Sequence, residues 1–169
     1  MSGDVVLTEA ILRPLTYEAA EQIVRGDRQL DWAVDYPTEG DVVVAGLICQ
    51  SVAAGATYTP PTVSTPWTGP WQICTREAAA VQVVGAVGFK SPPTQENTIE
   101  IGYGIAESAR GRSVASSAVR ALLELVAGHG VRVIAETEPG NEPSERVLTA
   151  CGFLRHRVAT DGNSWWQLD

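Results

Sequence analysis

Lysine is nearly absent from this chain: Lys90 is the only one among 169 residues. A phosphate loop of the G-x-x-x-x-G-K-[ST] kind cannot be built around it, which excludes that class of nucleotide-binding protein. Histidine is almost as scarce, and His129 and His156 lie too far apart for an H-E-x-x-H zinc site. The three cysteines, Cys49, Cys74 and Cys151, are odd in number and scattered, so neither a disulfide framework nor a structural zinc site is expected, and no metal is implied. No stretch approaches the roughly 18 apolar residues of a membrane span, and no basic segment followed by an apolar one stands near the N-terminus. Basic side chains are too few to hold nucleic acid or an anionic membrane: 12 Lys and Arg face 20 Asp and Glu, for a net charge of −8. The expectation is a reduced, cytoplasmic protein with neither of those partners.

What is present is an ordinary globular mixture, 44% hydrophobic and 19% charged. A chain of this length hides roughly 70% of its extended-chain surface on folding, so residues 1–169 are read as one domain. Val5–Arg13 reads as a first strand. Thr16 then offers an N-cap to a helix over Tyr17–Arg25 that Gly26 stops, and the Ala/Val-rich run after Thr38, with Glu39 and Asp41 near its positive end, reads as a second helix to Ala54 closed by Gly55. Residues 55–70 carry Pro60, Pro61, Pro66 and Pro70, a loop long enough for a lid or a disordered insertion. Strands follow at Trp71–Thr75, Val81–Phe89 and Thr98–Ile105. A helix comes next, with apolar Val114, Ala118, Leu122, Leu125 and Val126 at three- and four-residue spacing. Val131–Thr137 reads as a buried strand, Asn141–Ala150 as a short helix, and Phe153–Val158 with Ser164–Leu168 as a closing hairpin. The fold class is α/β (α+β): a mixed, mostly antiparallel twisted sheet of about seven strands with four helices.

The segment that carries chemistry is Ile99–Ala118, a strand, the turn Arg110-Gly111-Arg112-Ser113-Val114-Ala115, and a helix. Small residues at 111, 113 and 115 let a ligand approach the backbone. The helix N-terminus offers unpaired N–H groups and a positive dipole end, and Arg110 and Arg112 add charge beside it. That combination suits a pyrophosphate. A dinucleotide fingerprint begun at Gly102-x-Gly104 fails because position 107 is Glu and the run lies inside a strand. The same turn nearly spells a G-x-S-x-G nucleophile elbow at Ser113, with Glu136 or Glu138 and His156 downstream in the required order. The antiparallel sheet and the lack of an HGGG-type loop argue against that serine hydrolase.

Glu100-Ile-Gly-Tyr-Gly-Ile105, Ala109-Arg-Gly-Arg-Ser-Val-Ala115, Asn141-Glu-Pro-Ser144 and Val147-Leu-Thr-Ala-Cys-Gly-Phe153 occur in that order. With Gly85-x-x-Gly88-Phe89 they resemble the GNAT superfamily of acetyl-CoA-dependent N-acetyltransferases, and within it the subgroup that includes ribosomal-protein N-terminal acetyltransferases. The resemblance covers roughly residues 81–154 and is weaker in the first 80. It implies acetyl-CoA as co-substrate and a primary amine, on a small molecule or a protein N-terminus, as acceptor. The family's Q/R-x-x-G-x-G/A loop falls on Arg110, Ser113 and Ala115, so amides of Gly111, Arg112, Ser113, Val114 and Ala115 would hold the pyrophosphate, with Ser113 in place of the usual glycine. Ile105 and Ala106 would pair with the pantetheine arm and point an N–H at the thioester carbonyl. Asn141 matches a residue that contacts the pantetheine or nearby backbone, and Ser144 a hydroxyl near the departing sulfur.

Direct attack of an amine on the thioester needs a proton acceptor. Glu100 shares a strand face with Gly102 and Gly104, which leave room beside it, so it is the first candidate base; Glu138 or a water relay is the alternative. Ser144 is the candidate acid. Trp32, Asp35, Tyr36 and Glu39 lie where the family's substrate-covering helices lie and could shape an amine-accepting pocket. A CoA-binding module without transferase activity fits the same motifs, and a homodimer through a helix face or strand edge is compatible with the chain.

Overall fold

In a computed structural model, residues 5–6, 10–77 and 80–168 are described. The expected first strand is two: β1 (Val5–Val6) and β2 (Ile11–Pro14), antiparallel, with Val6 opposite Ile11. Helices α1 (Tyr17–Arg25) and α2 (Glu39–Ala53) follow. Then come β3 (Trp71–Glu77), β4 (Ala80–Phe89), β5 (Thr98–Ile105), α3 (Val114–Val126), β6 (Arg132–Thr137), α4 (Glu142–Ala150), β7 (Leu154–Val158) and β8 (Ser164–Leu168). The eight strands form one sheet in the order β1-β2-β3-β4-β5-β6-β8-β7, in which only β5 and β6 run parallel. Positions 78 and 79, between β3 and β4, where the sequence places a turn over Arg76–Ala79, lie outside the described residues.

Local chemistry sets the helix ends. Thr16 Oγ1 accepts the Ala19 N–H at 3.1 Å, and Gly26 closes α1 at φ +74°, a left-handed conformation that costs glycine nothing. Thr38 and Asp41 form a reciprocal capping box on α2. Asp41 is buried, and burial raises its carboxyl pKa against two hydrogen bonds from Thr38 that lower it. Helix α3 packs on β2, β4 and β5, burying Val114, Ala118, Val119, Ala121, Leu122 and Val126 beside Ile99 and Ile101 of β5.

The proline-rich segment 55–70 is an ordered loop tied to the domain. Tyr58 donates its hydroxyl to Leu15 O at 2.8 Å, Trp71 Nε1 reaches Pro66 O at 3.3 Å, and Trp67 meets His129 edge-to-face with centroids 5.0 Å apart. Pro70 lies against Gly88, where a Cβ would stand 2.9 Å from Pro70 Cα. Packing by its own aromatics turns the loop into a wall of the domain.

Candidate active site

The site begins where two neighbouring strands part. β5 and β6 pair from Thr98↔Arg132 to Ile101↔Ala135 and no further. Beyond that point β5 stays with β4 through Gly85↔Ile105, and β6 stays with β8 through Thr137↔Ser164. Lys90 N–H donates to Glu100 O at 2.9 Å and Ala106 N–H to Val84 O at 2.7 Å, so the even-numbered residues of β5 turn their backbone groups to β4. By alternation the N–H and C=O of Tyr103 and Ile105 face the opening between the strands, where a sheet partner is missing. That row of groups is a template for an extended ligand.

At the C-terminal end of the opening stands the turn 110–115. Gly111 has φ +73° and Ser113 has φ +57°, ψ 10°; as the residue preceding α3, Ser113 makes no side-chain cap bond. The first intrahelical bond is Ser117 N–H to Ser113 O at 3.0 Å, which leaves the amides of Val114, Ala115 and Ser116 ahead of it. Arg110, Gly111, Arg112 and Ser113 are exposed, whereas Val114 is buried and anchors the turn. A left-handed serine costs roughly 1–2 kcal/mol relative to ordinary backbone. The uncapped amides and this strained residue converge on one exposed spot beside two arginines, which is the arrangement an anionic diphosphate requires.

A bulge in β4 ties the segment after α1 to this turn. Ile73 opposes Gly85 while Cys74 opposes Val83, so Val84 is the extra residue. The bulge turns both Val83 and Val84 toward β5. Val84 O takes the Ala106 N–H, while Val83 bonds Asp31 O at 2.7 Å and Ala33 N–H at 2.9 Å. Segment 31–36 therefore continues the sheet where β5 stops. Arg28 secures it: its guanidinium donates to the carbonyls of Trp32, Ala33, Val34 and Tyr36 at 2.8–3.4 Å. Asp35 then accepts from Ser108 N–H at 2.8 Å and Ser108 Oγ at 2.6 Å, latching the segment to residues just before Arg110. Those two bonds hold the Asp35 carboxyl below its ordinary value of 3.8. The latch therefore favours the folded chain above that pH and is lost as pH falls through the lowered value. Replacing Arg28 by Met removes charged hydrogen bonds worth about 1–3 kcal/mol together. The expected result is a melting temperature several degrees lower, with limited proteolysis shifting to residues 30–37.

These contacts correct part of the sequence reading. Trp32 and Tyr36 are 5% and 1% exposed and pack edge-to-face at 5.2 Å, so they belong to the core and present little surface to a ligand. Asp35 is engaged by Ser108; Glu39 is exposed on the first turn of α2. Ala106 has its N–H committed to Val84, which leaves Tyr103 and Ile105 as the donors of this strand.

On the even face of β5, Gly102 and Gly104 form an open floor. A Cβ at Gly102 would meet only Lys90 Cε at 3.9 Å, and one at Gly104 only Thr38 Oγ1 at 3.5 Å, both ordinary contacts. Packing within the chain gives neither position a reason to be glycine. Gly85 is the opposite case: a Cβ there would stand 2.2 Å from Gly104 O. At the closed end of the floor Glu100 pairs with Lys90, whose Nζ is also 3.8 Å from Glu136 Oε2; Glu136 Oε1 in turn accepts from Asn163 Nδ2 at 2.9 Å. Glu138 is exposed in the turn after β6. On the other face Tyr103 donates its hydroxyl to Ser144 O at 3.0 Å, pinning the first turn of α4 across the opening; burial pushes that hydroxyl's pKa up to about 12. Asn141 Oδ1 accepts the Ser144 N–H at 3.3 Å as the cap of α4, a bond to backbone.

Sequence reasoning missed Arg28, Tyr103, Ser108 and Glu136 as members of this assembly. Only Tyr103 carried a signal, a large side chain between two glycines; the others act through partners far away in sequence. The hydrolase alternative loses its geometry, because β7 with His156 is the outer strand of the sheet, beyond β6 and β8. Among the described residues no cluster of His, Cys, Asp and Glu could hold a metal ion, and no helix is long and apolar enough to cross a membrane.

Solved structures share this architecture. The GNAT domain of PAT from S. lividans superposes with a TM-score of 0.62 at 20% identity, covering 98% of this chain and 95% of that one. A GNAT-family acetyltransferase from Bacillus anthracis gives 0.61 at 17% identity over 98% and 97%. RimL, a ribosomal L7/L12 alpha-N-protein acetyltransferase in complex with coenzyme A, gives 0.62 at 18% over 96% and 95%. No curated protein matches the sequence. Residues 9–154 match the acetyltransferase (GNAT) domain family, so the parted strands, the uncapped helix and the chain that builds them belong to that family.

Proposed function

We propose that this acetyltransferase moves the acetyl group of acetyl-CoA to a primary amine, carried by a small molecule or a protein N-terminus, by direct attack. One observation carries the reading: the parting of β5 and β6 after Ile101↔Ala135 leads straight to an uncapped helix with left-handed Gly111 and Ser113 at its mouth. The pyrophosphate sits on amides 111–115 with Arg110 and Arg112 beside it. The pantetheine arm lies along the open edge of β5, and an N–H of Tyr103 or Ile105 meets the thioester oxygen. A donor aimed at a developing oxyanion contributes roughly 3 kcal/mol. The acceptor lies over the glycine floor, with segment 31–41 beside it. Holding both reactants there supplies an effective molarity of about 10⁵ M or more. Glu100 takes the amine proton, and Ser144, held by Asn141 and Tyr103, protonates the departing thiolate. The cluster of Glu100, Glu136 and Lys90 carries one excess negative charge, which suits an ammonium on arrival.

Stabilisation by acetyl-CoA in a thermal melt, with release of free CoA across an amine panel, tests the reading; stabilisation without CoA release would leave a binding module. Glu100→Gln is expected to flatten the acidic limb of the pH profile of kcat/KM. An unchanged profile would move the base to Glu138 or to water.

A further inference from the structure

We propose that Lys90 is itself an acetyl acceptor: in the absence of an external amine, the loaded enzyme acetylates its own Lys90 Nζ. The inference rests on the transferase reading above. It starts from what occupies the acceptor side of the cleft. Lys90 is the last residue before the turn out of β4; its N–H bonds Glu100 O at 2.9 Å and its side chain lies over Gly102. That places it on the glycine-floored face, beside the point where β5 and β6 part. Its Nζ pairs with Glu100 and stands 3.8 Å from Glu136 Oε2, so a primary ammonium already sits against the carboxylate proposed as the base.

Two further properties make it a reactant as well as an ion-pair partner. The side chain is 53% exposed against 20% for Glu100, so Nζ reaches solvent and can swing along the open floor toward the thioester at the cost of one half-buried ion pair. The floor itself gives it a path, since neither Gly102 nor Gly104 presents a side chain to stop it. In the step, a carboxylate oxygen of Glu100 removes one proton from the ammonium and the freed lone pair attacks the thioester carbonyl carbon. The C–N bond forms, the C–S bond breaks, and Ser144 Oγ hands its proton to the thiolate while taking up the second nitrogen proton. The products are N-acetyl-lysine and free coenzyme A, and Glu100 returns its proton to solvent. Acetylation removes the only cation of the cluster and leaves Glu100 and Glu136 free for a cationic acceptor.

Because Lys90 is the sole lysine, the test is direct. The full chain is incubated with acetyl-CoA and no acceptor, and its intact mass and peptide map are followed. The expected result is one added acetyl group on Lys90, at a rate independent of protein concentration and faster than in urea-unfolded chain; in Lys90→Arg that label is lost. A rate that scales with protein concentration, a rate equal to that of the unfolded chain, or label retained in Lys90→Arg would each overturn the proposal. If the chain binds acetyl-CoA and acetylates an added amine while Lys90 stays unmodified, the self-acetylation falls and the transferase reading stands. If it binds no acetyl-CoA, both fall.

Discussion

Gly85→Ala is expected to lower the melting temperature by roughly 6–12 °C and to remove acetyl-CoA binding with it. The added methyl would stand 2.2 Å from Gly104 O and 2.9 Å from Ile105 Cα, backbone atoms that no rotamer change can move aside. Overpacking costs about 1–3 kcal/mol, and a backbone clash belongs at the upper end. In a domain of this size each kcal/mol moves the midpoint by about 2–4 °C. Relief would come from pushing the end of β5 off the β4 bulge, the strand end that lines the opening. Gly102→Ala is the contrasting substitution. Its methyl meets only Lys90 Cε at 3.9 Å, and alanine is the better strand residue, so stability is unchanged or slightly higher. The methyl nevertheless stands on the acceptor floor, and kcat/KM for an external amine is expected to drop. Equal losses of stability in the two variants, read by calorimetry, would remove the distinction between a packing glycine and a site glycine.

Ser113→Val is expected to weaken acetyl-CoA binding by about 100-fold while the fold survives. Serine at φ +57° already pays for a left-handed conformation, and a β-branched side chain there pays more. In the ligand-free chain that strain is relieved by letting the turn relax, since residues 110–113 are exposed; the relaxation scatters the amides that would converge on the diphosphate. Two tenfold steps correspond to about 2.8 kcal/mol, which is strain plus one or two lost charge-assisted hydrogen bonds. Ser113→Gly moves the other way, relieving the strain without removing an amide. Titration calorimetry with acetyl-CoA reads both. A dissociation constant for Ser113→Val within about twofold of the native chain's would mean that this turn does not grip the ligand.

Much of the architecture was legible because its signals are local. Helix α1 runs over the predicted span because Thr16 and Gly26 bracket it, and β5 and β8 keep their predicted spans because alternation and flanking turns are properties of neighbouring residues. The first strand was misjudged because a run of Val, Leu and Ile looks the same whether it continues or folds back on itself as β1 and β2 do. Trp32 and Tyr36 are buried for a related reason: the core lies behind them, which an aromatic in a polar segment does not announce. The 55–70 loop lost its disorder to Tyr58, Trp67 and Trp71, whose partners are Leu15, His129 and Pro66.

Sequence by itself determined the order of elements after the first strand, the small-residue turn Arg110–Ala115 ahead of a helix, and the pairing of Glu100 with two glycines on one strand face, since each depends on spacing along a few residues. Tertiary structure alone decided that Gly85 serves packing while Gly102 and Gly104 have open space above them, that Ser113 leaves α3 without a side-chain cap, that Arg28 and Asp35 hold segment 31–36 against the residues before the turn, and that the only lysine meets two carboxylates. The physical reason is range: backbone periodicity and capping act within one or two turns of chain, whereas a contact between residues 35 and 108, or 90 and 136, exists only once the sheet has brought distant strands side by side.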